Sequence, residues 1–162
     1  MSATDPNPLE DTEGHLEDLE RAFFKAMQLR ESGDEAGCAE ALREILKAEP
    51  RLAEPRLELA HILLMENRFE EAEEHARLAA TSLRAGGQWT KDVDPSALLS
   101  FALNMHGETI ARHLEEGDLF LTDREQFEAR WNSAAALFGE AAALDPNNAE
   151  ARRNATRFAR LD

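Results

Sequence analysis

The strongest constraint on this chain is a segment that occurs twice along it. Residues 33–50 read GDEAGCAEALREILKAEP, and residues 67–83 read NRFEEAEEHARLAATSL. When Gly33 is aligned with Asn67, Cys38 lies over Ala72, so the two copies are 34 residues apart. Each copy begins at a turn and continues with apolar residues at helical spacing. A repeat of this length predicts a series of helical units, each of which buries its apolar face against the next.

The composition favours a single helical domain. Hydrophobic residues make up 43% and charged residues 31% of the 162 residues, Tyr is absent, and helix-favouring Ala, Leu, Glu and Arg dominate. Residues 1–15 (MSATDPNPLEDTEGH) carry prolines and acids without an apolar period, so we expect a disordered acidic leader before one domain over 16–162. Periodicity and turn residues predict seven helices, over roughly 16–32, 35–48, 53–66, 69–84, 96–116, 123–144 and 148–160.

The charge of the chain excludes some classes of partner. A net charge of −15 argues against nucleic acid and anionic membranes, because phosphate binding needs clustered Lys and Arg. A basic or apolar protein segment is the favoured partner. The longest apolar stretch, residues 98–105, is too short to span a membrane, and the single cysteine, Cys38, permits no internal disulfide. The sequence therefore predicts a cytoplasmic protein that binds neither nucleic acid nor a membrane.

A third copy of the repeat is recognisable near the end of the chain. In WNSAAALFGEAAALDPNN (131–148), Trp131 stands where Phe69 stands in the second copy, and Ala134 stands where Ala72 does. Together with NRFEEAEEHARLA, this pattern resembles the tetratricopeptide repeat family. The resemblance implies an all-α fold: a short helical solenoid of about three helix pairs, with residues 148–160 as a capping helix.

The repeat also predicts which side chains form the core. Gly107 precedes Ala134 by 27 residues, whereas 12 residues separate the small positions of the other two pairs, so we expect the third pair to extend as a long hairpin. Small side chains are expected where helices touch, at Ala26, Cys38, Ala60, Ala72, Gly107 and Ala134. The most buried large residues are predicted to be Leu29, Leu42, Ile45, Leu59, Leu63, Phe69, Leu103, Ile110, Trp131 and Phe138, with Ala76 and Ala79 beside them.

By the same resemblance, the first helices of the pairs line a concave groove that binds an extended segment of a partner. Leu57, His61 and Leu64 share one helix face, which predicts an apolar groove with acidic rims. Periodicity leaves a second interpretation open, in which these side chains bury in the core. The predicted groove residues are Phe23, Met27, Arg30, Leu57, His61, Leu64, Asn104 and Glu108, with Glu20, Glu54 and Ala111 beside them.

The turn of the third hairpin, GDLFLTD (117–123), places three adjacent apolar residues where polar ones are expected. Two interpretations of Phe120 are open. It folds back between the two extended helices, or it forms a second contact surface, for a partner or for a homodimer.

The sequence predicts no catalytic residue, no metal site and no cofactor. His106 and His113 lie seven residues apart, and Glu71 and His75 lie four apart, but neither pair has a third ligand at helical spacing. Cys38 holds a small-residue position and is expected to pack rather than react.

These observations predict a non-catalytic protein-interaction module, an adaptor or chaperone-like subunit that binds a partner segment. The basic clamp with which some family members hold chaperone C termini is not expected, because Phe23 and Met27 occupy its positions. Two alternatives remain. One is a structural protein that self-associates through the third hairpin, and the other is an enzyme subunit that uses paired acids such as Glu115 and Glu116.

Overall fold

A computed structural model describes residues 13–162 of the chain, and the helices of this part are numbered in chain order. Within it the fold is all-α, as predicted, with no strand and with eight helices where seven were predicted. Residues 1–12 of the expected leader lie outside the described residues, and the first helix begins before its predicted start at residue 16. The helices are α1 (Glu13–Glu31), α2 (Glu35–Ala48), α3 (Ala53–Met65), α4 (Phe69–Arg84), α5 (Pro95–Glu116), α6 (Leu119–Thr122), α7 (Arg124–Leu144) and α8 (Ala149–Arg157).

Polar side chains cap the start of four helices, α2, α5, α7 and α8, whereas no side-chain bond from a described residue caps α3 or α4. The Asp34 carboxylate accepts a hydrogen bond of 2.8 Å from the backbone N–H of Gly37 at the start of α2. The Asn148 side chain accepts one of 3.0 Å from the N–H of Ala151 at the start of α8. Each bond satisfies a backbone donor that has no partner inside the helix, which is why the breaks fall where the sequence carries these residues.

The helices pack in chain order. From α1 to α5 each helix contacts its successor; α5 then packs on α7 and α7 on α8, while the one-turn α6 lies against α7. In addition, α3 contacts α5 and α5 contacts α8. The core is therefore a series of apolar clusters along the chain, shared between successive helices.

The expected core residues are buried with three exceptions. Leu29, Phe69 and Trp131 are only partly buried. Phe69 begins α4 and stacks on the ring of His113, with centroids 5.1 Å apart. The indole N–H of Trp131 donates a hydrogen bond of 2.8 Å to a backbone carbonyl near the C terminus, which places the ring at the edge of its cluster. Every predicted small position is buried, at Ala26, Cys38, Ala60, Ala72, Gly107 and Ala134.

The third helix pair is built from the two longest helices of the described chain. α5 has 22 residues and α7 has 21, whereas α2, α3 and α4 have 14, 13 and 16. The predicted turn between them contains α6, a single helical turn that the sequence analysis did not predict.

The loop between α4 and α5 folds back over the first two helix pairs. The buried carboxylate of Glu54 accepts hydrogen bonds from the backbone N–H groups of Trp89 (2.9 Å) and Thr90 (3.0 Å). The Trp89 ring lies edge-on to Phe23, with centroids 5.1 Å apart, and packs in a cluster that contains Leu19. The loop is thus fixed to α3 through a carboxylate and to α1 through an aromatic ring.

Candidate functional site

Polar contacts join the first helices of successive pairs side by side. Arg30 Nη1 on α1 lies 2.5 Å from Glu58 Oε2 on α3. Between α5 and α8, Asn154 Nδ2 donates hydrogen bonds to Asn104 Oδ1 at 3.0 Å and to Glu108 Oε1 at 3.1 Å. We call the exposed surface of α1, α3 and α5 the first-helix face. The resemblance to tetratricopeptide repeats predicts a binding groove on this face.

The predicted groove residues differ in exposure. Glu20 is exposed, whereas Glu54, Ala111, Leu57, Leu64 and Asn104 are buried, and the two leucines belong to different core clusters. Their contribution to a partner surface remains a prediction, and their burial leaves little area for it. The residues that keep partial exposure are Phe23, Met27, Arg30, His61 and Glu108.

Most of these partly exposed residues already have contacts within the chain. Phe23 meets Trp89, Met27 packs against the core cluster of the first two pairs, and Arg30 is paired with Glu58. The His61 ring is partly exposed, and within residues 13–162 it forms no hydrogen bond, ion pair or ring stacking with another side chain.

Three large apolar side chains on the first-helix face were not predicted. Phe24 on α1 is 65% exposed, Met65 on α3 is 58% exposed, and Phe101 on α5 is 45% exposed. The second helices of the pairs, α2, α4 and α7, carry no exposed large apolar side chain. The signal in the sequence was weak. Phe23 and Phe24 are adjacent and lie about 100° apart around the helix, and the pattern alone did not show which of them would be the more exposed.

The tip of the third hairpin also exposes apolar surface. The Phe120 ring is 46% exposed and lies edge-on to Phe127 of α7, with centroids 5.2 Å apart. The Arg124 guanidinium lies 4.2 Å from the centre of the Phe120 ring. Leu121 beside it is 84% exposed. Phe120 therefore packs back on its own hairpin and still presents about half of its surface.

An acid pair connects α5 to α8. Burial, together with the hydrogen bond and repulsion from Glu150, raises the pKa of Glu108 to about 7, although hydrogen bonds from Asn154 and Asn104 oppose the shift. Glu108 borders an open cavity of about 240 Å³ that Glu115, Arg112 and other side chains also line. A carboxyl group with this pKa can exchange a proton near neutral pH. The residues lining the cavity include no Ser, Cys, His or Lys that would act beside it as a nucleophile.

A second, partly buried acid has the opposite shift. Burial alone would raise the pKa of Glu73, but hydrogen bonds from Arg130 and His106 outweigh burial and lower the pKa to about 2. Arg130 Nη2 lies 2.6 Å and His106 Nε2 lies 3.2 Å from the carboxylate. The three side chains join α4, α5 and α7, so this ion pair has a structural role.

The histidines and the cysteine that the sequence analysis considered as possible ligands or nucleophiles contact other protein side chains or lie in the core. Within residues 13–162, no cluster of three or more His, Cys, Asp or Glu side chains could hold a metal ion. His75 Nδ1 lies 3.2 Å from Arg56, and His113 stacks on Phe69. Cys38 is buried, and burial raises the pKa of its thiol, which disfavours the reactive thiolate.

No protein-family model and no curated protein matches this chain. None of the helices between residues 13 and 162 combines the length and the apolar character needed to cross a membrane.

Proposed function

We propose that this protein is a non-catalytic, cytoplasmic interaction module of tetratricopeptide type, an adaptor or chaperone-like subunit. Its first-helix face would bind a segment of a partner protein. The observation that carries the proposal is the distribution of exposed apolar side chains. Phe24, Met65 and Phe101 lie one on each first helix, and the second helices have none.

Two further observations support the repeat architecture. All six small positions that the 34-residue pattern predicts are buried, and each lies on one of the helices that form the three pairs. Helix α3 contacts α5, as expected for neighbouring first helices of a helical-repeat array, and α5 contacts α8, as expected for a capping helix. An array of this kind exposes the first helices of successive pairs on one surface, where an extended segment can lie across them.

The chemistry of the face indicates an apolar partner segment. Its exposed side chains are aromatic or thioether groups, and methionine and phenylalanine are common on surfaces that bind partners by burying apolar area. The protein carries 33 acidic and 18 basic side chains, so basic residues that flank the apolar segment would be attracted to it.

The proposal can be tested by selection of peptides of about 12 residues from a phage-displayed library, followed by calorimetric titration of the selected peptides. The test variant is Phe24→Ser/Met65→Ser/Phe101→Ser. Since these side chains are exposed, the variant should keep its melting temperature within a few degrees and weaken peptide binding by about tenfold or more.

A matched control changes three exposed apolar side chains away from the first helices: Val93→Ser/Phe120→Ser/Leu121→Ser. This control should bind the selected peptides with the affinity of the unaltered chain. If the control loses binding while the test variant keeps it, the partner surface is the hairpin tip or the loop around Val93, and the proposal for the first-helix face is wrong.

A second candidate function is structural self-association through the third hairpin. It is favoured by the half-exposed Phe120 and the exposed Leu121 at the tip. Sedimentation velocity over a wide range of protein concentration tests it. A mass that rises with concentration supports self-association, and a monomer at all concentrations excludes it.

A further inference from the structure

The C-terminal helix α8 presents a basic face on a chain with a net charge of −15. An open groove of about 710 Å³ runs along α8 and reaches Ala142 of α7. Arg152, Arg153 and Arg157 line it, and no acidic side chain of residues 13–162 does. The local charge is thus opposite to that of the protein as a whole.

The arginines of this groove are available to a ligand to different degrees. Arg152 and Arg153 are exposed and make no ion pair with any described residue. Arg157 lies 3.4 Å from Glu115, and its side chain remains 70% exposed. By contrast, Arg130 on the neighbouring helix α7 forms an ion pair with Glu73 on α4. The uncompensated charge is therefore concentrated on Arg152 and Arg153.

The positions along α8 make a narrow track between two guanidinium groups. At about 100° per residue, Ala149 and Thr156 lie on the helix surface between the directions of Arg152 and Arg153. Both are exposed and small. A partner backbone can approach this track closely, while its carboxylates on either side meet guanidinium groups that bind carboxylate with two hydrogen bonds.

We propose that the groove on α8 is a second docking surface, which takes an acidic segment of a protein partner. The track of small side chains favours a polypeptide, because a peptide backbone can lie along it with acidic side chains on either side. The overall charge of the protein repels a nucleic acid over many phosphates. This surface is distinct from the first-helix face, and its test is independent of that function.

The probe is an acetylated, amidated peptide of about 12 residues in which pairs of adjacent Glu alternate with Ala and Leu, so that an extended backbone carries carboxylates on both of its sides. Its binding to the full chain is followed by fluorescence anisotropy. The double variant Arg152→Glu/Arg153→Glu should lower the affinity by about tenfold or more, and binding to the unaltered chain should weaken as salt is raised.

The matched control is Arg43→Glu/Lys47→Glu on α2, which changes the net charge by the same amount at two exposed positions. It should lose little affinity, and an analogue peptide with Gln in place of Glu should not bind. If the charge-reversed α8 variant fails to fold, Arg152→Gln/Arg153→Gln against Arg43→Gln/Lys47→Gln provides the same comparison.

Equal losses in the two double variants would show a general charge effect and overturn the proposal. So would binding of the Gln peptide, or a duplex DNA of about 20 base pairs that binds more tightly than the acidic peptide through the same arginines. A dimer of the peptide-free chain that the α8 substitutions dissociate would assign the groove to a second copy instead, which also overturns it.

Discussion

The ring of Phe138 on α7 lies directly against the backbone of Gly107 on α5. A Cβ atom placed on Gly107 would lie 2.6 Å from Phe138 Cε1 and 2.9 Å from Cδ1 and Cζ. Phe138 is completely buried, so the ring has little room to move away. The longest helix pair therefore closes around one residue without a side chain and one large residue that fills the space.

Gly107→Ala should destabilise the protein by about 1–3 kcal/mol, since the added methyl group overlaps the Phe138 ring. Chemical denaturation monitored by circular dichroism measures this change. Gly139→Ala on α7 is the control, because a Cβ there meets nothing within 4 Å. In a helix interior this change should stabilise by about 0.5–1 kcal/mol. If both glycine substitutions changed the free energy of unfolding in the same direction, the contact between Gly107 and Phe138 would not limit the packing.

Glu54→Ala should release the α4–α5 loop and destabilise by about 1–3 kcal/mol, because the N–H groups of Trp89 and Thr90 lose their acceptor. In a Trp131→Phe background, the emission of Trp89 should shift to longer wavelength as its ring leaves Phe23. Glu44→Ala, an exposed change on α2, should leave the emission unchanged. An unshifted spectrum in Glu54→Ala would show that packing of the ring alone holds the loop.

The acid pair predicts that the stability of the fold decreases as the pH rises from acidic to neutral. The pKa of Glu108 is about 7 in the folded protein and near 4.5 when unfolded, so the folded state holds the proton longer. Folding is therefore penalised progressively as pH rises from about 4.5 to about 7, and the penalty is constant above that. Glu108→Gln should remove it, raising stability at pH 8 by on the order of 1–2 kcal/mol after solvent screening, with little gain at pH 4.5.

Thermal melts at several pH values measure this effect, with the exposed Glu44→Gln as control. The facing charged groups are Glu150 and Arg157 from α8 and Arg112 and Glu115 from α5. If the melting temperatures of Glu108→Gln and of the unaltered chain change with pH in parallel, the proton is not held by this pair.

The Glu73 ion pair predicts the opposite dependence. Its folded pKa of about 2 lies below the unfolded value, so its contribution is complete above about pH 4.5 and is lost as pH falls toward 2. Arg130→Met should destabilise at pH 7 by on the order of 1–2 kcal/mol, because a partly buried carboxylate loses its main partner. The difference between variant and unaltered chain should narrow as the pH of the melt is lowered. A constant difference would indicate lost packing of the Arg130 stem instead.

The sequence was sufficient for the seven longer helices and for the small residues buried between them, because both depend on local periodicity and on a 34-residue pattern that repeats. Gly107 and Ala134 could each be assigned to a buried position in spite of the 27 residues between them, since each follows the pattern of its own helix. The role of Glu54 could not be predicted. Its carboxylate binds a loop about 35 residues away, and nothing in the local sequence of α3 indicates that partner.

The exposed surface was harder to predict for a related reason. Leu57 and Leu64 share a helix face that is consistent with either groove or core, and only the neighbouring helices decide that they are buried. Phe24 is exposed because Phe23 takes the position against Trp89, a contact between α1 and a loop far along the chain. Such choices depend on tertiary packing, which local periodicity does not contain.

The last prediction separates the two roles of the hairpin tip. Phe120→Asp removes the edge-on contact with Phe127 and the stacking of Arg124, so it should destabilise by about 1 kcal/mol. Leu121→Asp changes a side chain that is 84% exposed and should alter stability by less than about 0.5 kcal/mol. Thermal melts measure both. If the tip is also an interface between copies, both changes should lower the self-association measured by sedimentation, because a carboxylate at either position places a charge in the contact. A lower melting temperature in Phe120→Asp, with unchanged sedimentation in both variants, would restrict the tip to closing its own hairpin.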